Sequence, residues 1–208
     1  MLRSTFDRFL SAAGLVLAIL LLVVSGLAFW GFSFSSNTVR DQLAAQRITM
    51  PTEQAMTGLS DADKAALLPF AGQPLDNGDA ARAYADHYIQ AHMNAAASGK
   101  TYAEVSSLCT AAKKTDPQQQ QEATQTVCEL RETLFMGDTL RSILLTAYAF
   151  GTIGKIAFWG FVTTLIGGLV MLVLSIMGFV HAARAGDELI GAPPARALDS
   201  NGPVPPTS

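Results

Sequence analysis

The sequence predicts an all-α membrane protein: two transmembrane helices joined by an extracytoplasmic helical bundle. Three observations predict it. The stretch from Ile156 to Val180, IAFWGFVTTLIGGLVMLVLSIMGFV, holds no charge and no proline. A second stretch of the same kind runs from Leu10 to Phe34. The chain has 2 cysteines, Cys109 and Cys128, and both lie between those stretches.

A helix of about 25 residues crosses a ~30 Å hydrocarbon core with some tilt. Helix is the form expected for such a stretch, because lipid offers no partner to an open backbone N–H or C=O. Composition agrees: 50% of residues are hydrophobic and 15% charged, where soluble domains hold about 25% charged residues. A net charge of −3 gives no electrostatic footprint for nucleic acid.

Orientation rests on the cysteines. Arg3, Arg8, Arg184 and Arg196 lie outside the two spans, and Arg40, Arg47, Arg141 and Lys155 lie on the loop side, so the charge rule is a tie. Trp30 and Trp159 place the loop-side ends of both spans at one interface, with Lys155 snorkelling beside them. An isolated cysteine pair in a small domain points to a disulfide and an oxidising compartment. The expected layout is therefore a cytoplasmic N-terminus over 1–9, a first span over 10–34, and an extracytoplasmic domain over 35–155. A second span over 156–180 and a disordered, Pro-rich cytoplasmic tail over 181–208 complete it.

Arg3 and Arg8 ahead of the first apolar run resemble the start of a secretory signal. The run is longer than a signal core and no A-x-A site follows it, which predicts an uncleaved signal anchor. Gly14, Ala18, Ser25 and Ala28 form a small-residue seam on this span. Gly160, Thr164 and Gly168 form a second seam on the other span, suited to packing within the chain or against a partner helix.

Between the spans the pattern is helical. Ser36 to Arg47 keeps Val39 and Leu43 on one side and either continues the first helix or begins a new one at Asn37. Ser60 and Asp63 predict the capped start of a short helix, Asp61 to Leu68, stopped by Pro69. Asp79 is the expected cap of a longer helix from Ala80 to Ser98, with Gly99 beyond its end. Thr101 and Glu104 form a capping box before a further helix.

Asp116-Pro117 reads as a possible cap for the next helix. The cysteines argue against an immediate start. With a tight turn at Thr115, Cys128 would sit about 10 Å past the point facing Cys109, whereas a disulfide needs Cα atoms within about 7 Å. Lys113 to about Gln121 is therefore expected as loop, with helix from near Glu122. Gly137 is expected to end that helix and Asp138 to cap the one leading into the second span, with a weak point at Gly151 to Gly154.

Chemical motifs are sparse. Asp86, His87 and His92 are the best catalytic or metal-ligating candidates. The two histidines are five residues apart, which puts them on different helix faces, so surface histidines are the better reading. Gly99-Lys100-Thr101 echoes the end of a phosphate-binding loop, but a helix-ending glycine and a capping threonine explain it fully. No metal, cofactor or catalytic residue is assigned.

The order of segments carries a resemblance: one span, TVRDQLAAQRITMP, DNGDAARAYADHYIQAHMNAAASGKTYAEVS, then LRETLFMGDTLRSILLTAYAFGTIGKIAFWGF and a second span. Over residues 1–180 this resembles a group of small two-span membrane proteins of Actinobacteria. The resemblance implies a cell-envelope location and carries over no activity or site residue.

The function expected from these observations is that of a non-enzymatic, membrane-anchored interaction protein, an accessory subunit or scaffold of a cell-envelope complex. Its expected partners are the lipid bilayer and another membrane protein or a second copy of itself. The alternative is a ligand-sensing or binding module that acts through a partner.

Overall fold

The computed structural model describes residues 2–191, and side chains over 6–184. All regular structure among them is helical. The elements are α1 (Leu2–Ala45), α2 (Asp61–Leu67), α3 (Gly78–Ala83), a π-helical segment (Tyr84–Ile89), α4 (Gln90–Ala96), α5 (Tyr102–Thr115) and α6 (Glu122–Gly191). Short 3-10 turns occupy Glu53–Met56 and Leu68–Phe70, the second one holding Pro69.

The segments Phe6–Ala45 and Glu122–Arg184 are long and apolar enough to cross a membrane. Only 11% of the most apolar window of each is buried, so neither is the enclosed core helix of a soluble protein. α1 runs unbroken through Asn37, which settles the choice in favour of continuation. α6 runs unbroken for 70 residues, about 105 Å of helix. It passes through Gly137, where a helix end was expected, and through Gly151 and Gly154, where a weak point was. It also reaches Gly191, 11 residues beyond Val180. The rest of the expected tail, 192–208, lies outside the described residues.

The glycines of α6 serve close approach. A Cβ on Gly137 would stand 2.5 Å from Met93 Sδ, and one on Gly154 3.3 Å from the hydroxyls of Ser35 and Ser36. Gly151 faces Gly78, where a Cβ would stand 3.1 Å from the Tyr148 Cα and 3.2 Å from the Ala147 carbonyl. Here two backbones touch, and only glycine fits.

The chain divides into two units, 1–25 with 163–208, and 26–162. In the first, α1 and α6 lie antiparallel. Gly14 meets Ser175, Leu22 meets Gly168, and Gly178 meets Ser11. Among its described residues the buried ones are all small: Ser11, Ala18, Ser25, Ser175 and Ala182, with Gly168. Large apolar side chains such as Leu20, Val23, Val173 and Met177 face outward.

The second unit has a conventional core of Val39, Leu43, Met50, Met56, Leu67, Leu75, Leu134 and Leu144, with a row of alanines from α3 and the π segment. Two loops are tied by Met50 N–H to Gln73 O (2.9 Å) and Leu75 N–H to Ile48 O (2.9 Å). Phe29 packs on Phe161 and Phe32 on Phe158, which sets Trp30 and Trp159 at one level of the helix pair.

Local chemistry explains the smaller elements. The Ser60 hydroxyl accepts from the Asp63 N–H and caps α2. The α3 cap is Asn77, accepting from the Ala80 N–H, two residues before the expected Asp79. The capping box of Thr101 and Glu104 has both of its bonds. α5 runs on through Thr115, so the loop is 116–121, three residues shorter than expected. Within it the Asp116 carboxylate accepts from the N–H groups of Gln120 (3.0 Å) and Gln121 (2.8 Å). Those bonds hold its carboxyl below the usual range. The loop brings the cysteines together: Cys109 and Cys128 are bonded, with Cα atoms 5.0 Å apart.

Candidate functional site

The expected helix from Ala80 to Ser98 is three pieces, and its middle turn is wide. Ala81, Ala85, Ile89, Met93 and Ala97 are all buried at strict four-residue spacing. An α-helix turns about 100° per residue, so each such step overshoots by about 40°. The i→i+5 turn between Tyr84 and Ile89 removes part of that drift and keeps the row against the core.

The same turn spreads the three candidate chemical residues onto three partners. Asp86 accepts from Arg141 Nη2 at 3.1 Å and pairs with Arg82 at 3.6 Å. Arg141 Nε also donates to the Ala85 carbonyl (3.1 Å), which fastens the wide turn to α6. Arg82 donates to the Tyr148 hydroxyl at 2.9 Å.

His87 Nδ1 lies 2.9 Å from the Asp63 carboxylate, whose other oxygen accepts from the Ser60 hydroxyl at 2.6 Å. These bonds, Ser60 first and His87 second, hold the Asp63 carboxyl below its ordinary range. His92 Nδ1 sits 2.7 Å from the Tyr88 carbonyl, its ring lies tilted 4.4 Å from that of Tyr88, and Tyr88 in turn stacks on Tyr84. Burial, then the neighbouring Tyr88, pushes the Tyr84 hydroxyl up.

Asp86, His87 and His92 thus tie α2, the π segment, α4 and α6 together and do not converge. Among the described residues no group of three or more His, Cys, Asp or Glu is placed to hold a metal ion. Gly99 takes a left-handed φ of 78° at the turn after α4, and Thr101 caps α5.

Of the seam residues, Ala18, Ser25 and Gly168 are enclosed within the first unit, where Gly14 meets Ser175. Thr164 is half-buried, and a Cβ on Gly160 would meet nothing within 4 Å, so close approach does not depend on that glycine. Lys155, beside Trp159, carries an ion pair: its ammonium bonds the Asp79 carboxylate at 2.5 Å.

What the second unit leaves open is an apolar groove of about 400 Å³ between α1 and α6, lined by Phe34, Thr38, Gln42, Ile143, Thr146 and Phe150. Phe34 is 57% exposed, Ile143 51% and Phe150 50%, so three large apolar side chains on the groove are uncovered. Met136, Ile143 and Phe150 recur every seven residues, with Thr139, Thr146 and Ile153 between them, an exposed heptad row on α6 beside the groove that α1 walls on its other side. The seven-residue spacing was the row's available signal. No protein-family model matches the chain, and no similarity to a curated protein or to a solved structure was found.

Proposed function

We propose that this chain is a two-span membrane protein that works as a non-enzymatic, anchored interaction protein, an accessory subunit or scaffold of an envelope membrane complex. Both termini are cytoplasmic and residues 35–155 lie outside. The first unit supports the membrane reading, because burying Ser, Gly and Ala while exposing Leu, Val and Met is how helices pack in lipid. The disulfide supports the outside location of the domain.

The observation that carries the interaction reading is the bare seam Ile143–Thr146–Phe150 beside Phe34. It lies on the same two helices as the spans. A partner anchored in the same membrane can therefore lay one of its own helices along it, by heptad packing. A photo-activated cross-linker placed at Phe150 in native membranes tests this. One discrete heterologous product, absent when the cross-linker is placed at exposed Thr110, is the expected result. Cross-linking to lipid only would overturn the reading. Products between copies of this chain would replace the partner with a second copy.

A groove of about 400 Å³ also falls in the usual size range of small-molecule sites. A ligand-binding module acting through a partner is the second reading.

A further inference from the structure

On another face of the α1–α6 pair in the second unit is a cleft of about 480 Å³ whose walls include Phe32, Ser36, Arg40, Asp76, Asp79 and Lys155. Its back is rigid, because the Gly78 backbone rests directly on α6 at Tyr148 and Gly151. The cleft has a charged part and an apolar edge. Four charges line the first, two of each sign. Phe32, packed on Phe158 at 5.2 Å, forms the second. Along the helix axes Ser36 is about 9 Å beyond Trp30, and Lys155 about 6 Å beyond Trp159. With the tryptophans at the membrane interface, this is the depth of phospholipid headgroups.

We propose that this cleft binds the headgroup of a zwitterionic aminophospholipid. The inference rests on the reading that α1 and α6 cross a bilayer. Lys155 and Asp79 satisfy each other at 2.5 Å, which leaves one cation, Arg40, and one anion, Asp76. Arg40 has no ion pair among the described residues. Asp76 is half-buried and receives a single side-chain hydrogen bond, from Asn77 Nδ2 at 3.1 Å. One phosphate and one ammonium, as a phosphoethanolamine group carries, match that pair in charge. The guanidinium takes the phosphate and the carboxylate takes the ammonium. Phe32 then lies under the glycerol, and the acyl chains run along the apolar helices. A purely anionic headgroup fits poorly, because it would face Asp76 and Asp79.

The test uses the purified full chain in mild detergent. Retained lipid is read by native mass spectrometry, and affinity by thermal shift on titration. The probes are phosphatidylethanolamine, phosphatidylglycerol and water-soluble glycerophosphoethanolamine. The variants are Arg40→Gln, Asp76→Asn and, as a control away from the cleft, Arg47→Gln.

The expected result is preferential retention of phosphatidylethanolamine, weakened about tenfold by Arg40→Gln and unchanged by Arg47→Gln. Asp76→Asn should narrow the preference over phosphatidylglycerol. Equal retention of both lipids, or no effect of Arg40→Gln in a variant with the parent's circular dichroism, overturns the site. Binding of the soluble headgroup as tight as the lipid's overturns the lipid and leaves a small-solute site. Alkaline extraction of membranes separates the two readings. A chain that stays with the membrane but fails the lipid test loses only the cleft, and a chain that is released loses the spans as well.

Discussion

The same two helices are held together by opposite means in the two units of the molecule. Among the described residues of 1–25 and 163–208 the enclosed positions are Ser11, Ala18, Ser25, Gly168, Ser175 and Ala182, and many of the large apolar residues point away. Over 26–162 the enclosed positions are Val39, Leu43, Leu134 and Leu144, with methionines and leucines from the short helices. On the proposed membrane placement, the difference follows from the solvent. In water, burying a leucine side chain contributes about 1.5–3 kcal/mol. In hydrocarbon that gain vanishes, and only close backbone approach and hydroxyl hydrogen bonds remain.

Substitutions sharpen that contrast. Leu43→Ala, in the water-side core, should lower stability of the full chain in detergent by about 2–5 kcal/mol, read by chemical denaturation. Replacing Cys109 and Cys128 together by serine should cost about 3 kcal/mol, because their sequence separation of 19 closes a mid-sized loop. The same measurement under reducing conditions should reproduce the loss in the parent. Gly78→Val pushes a branched side chain into the backbone of α6 and should cost about 1–3 kcal/mol. Ser175→Ala, on the lipid-side seam, should cost only about 0.6 kcal/mol. If it costs as much as Leu43→Ala, the contrast between the units is wrong.

The last prediction concerns pH. The Asp63 carboxyl has a folded-state pKa below its unfolded value, through Ser60 and then His87. Its contribution is present above about pH 4 and is lost as pH falls through the folded-state value. Asp63→Asn should therefore flatten the fall of Tm below about pH 4 and lower Tm slightly at pH 7.

Features that depend on local chemistry were readable in the sequence. The capping box at Thr101, the cap at Ser60, the helix start near Glu122 and the disulfide each follow from a few neighbouring residues and simple geometry. Features set by distant contacts were not. Gly137 looks like a helix end because the Met93 side chain that fills its missing Cβ lies 44 positions away in the chain. Gly151 and Gly154 look like a hinge because Gly78 and Ser35, which they meet, are more remote still. Asn77 rather than Asp79 is the cap because the backbone is extended at Asn77 (φ −142°, ψ 160°) and Asp79 already lies in the first turn. The wide turn at Tyr84–Ile89 could have been suspected from the four-residue row of Ala81, Ala85, Ile89, Met93 and Ala97, whose period is too long for an α-helix. Asp86, His87 and His92 looked most like chemistry, and each is used to fasten one element to another.

The account stands or falls on the membrane placement of the two units. The direct measurement is labelling of intact cells with a membrane-impermeant maleimide. Single added cysteines at Ser98, in the turn before α5, and at Ser4, near the N-terminus, are compared with the parent, whose own cysteines are bonded. Labelling of Ser98→Cys in intact cells, and of Ser4→Cys only after permeabilisation, is the predicted result. The reverse pattern, or labelling of both positions in intact cells, would contradict it.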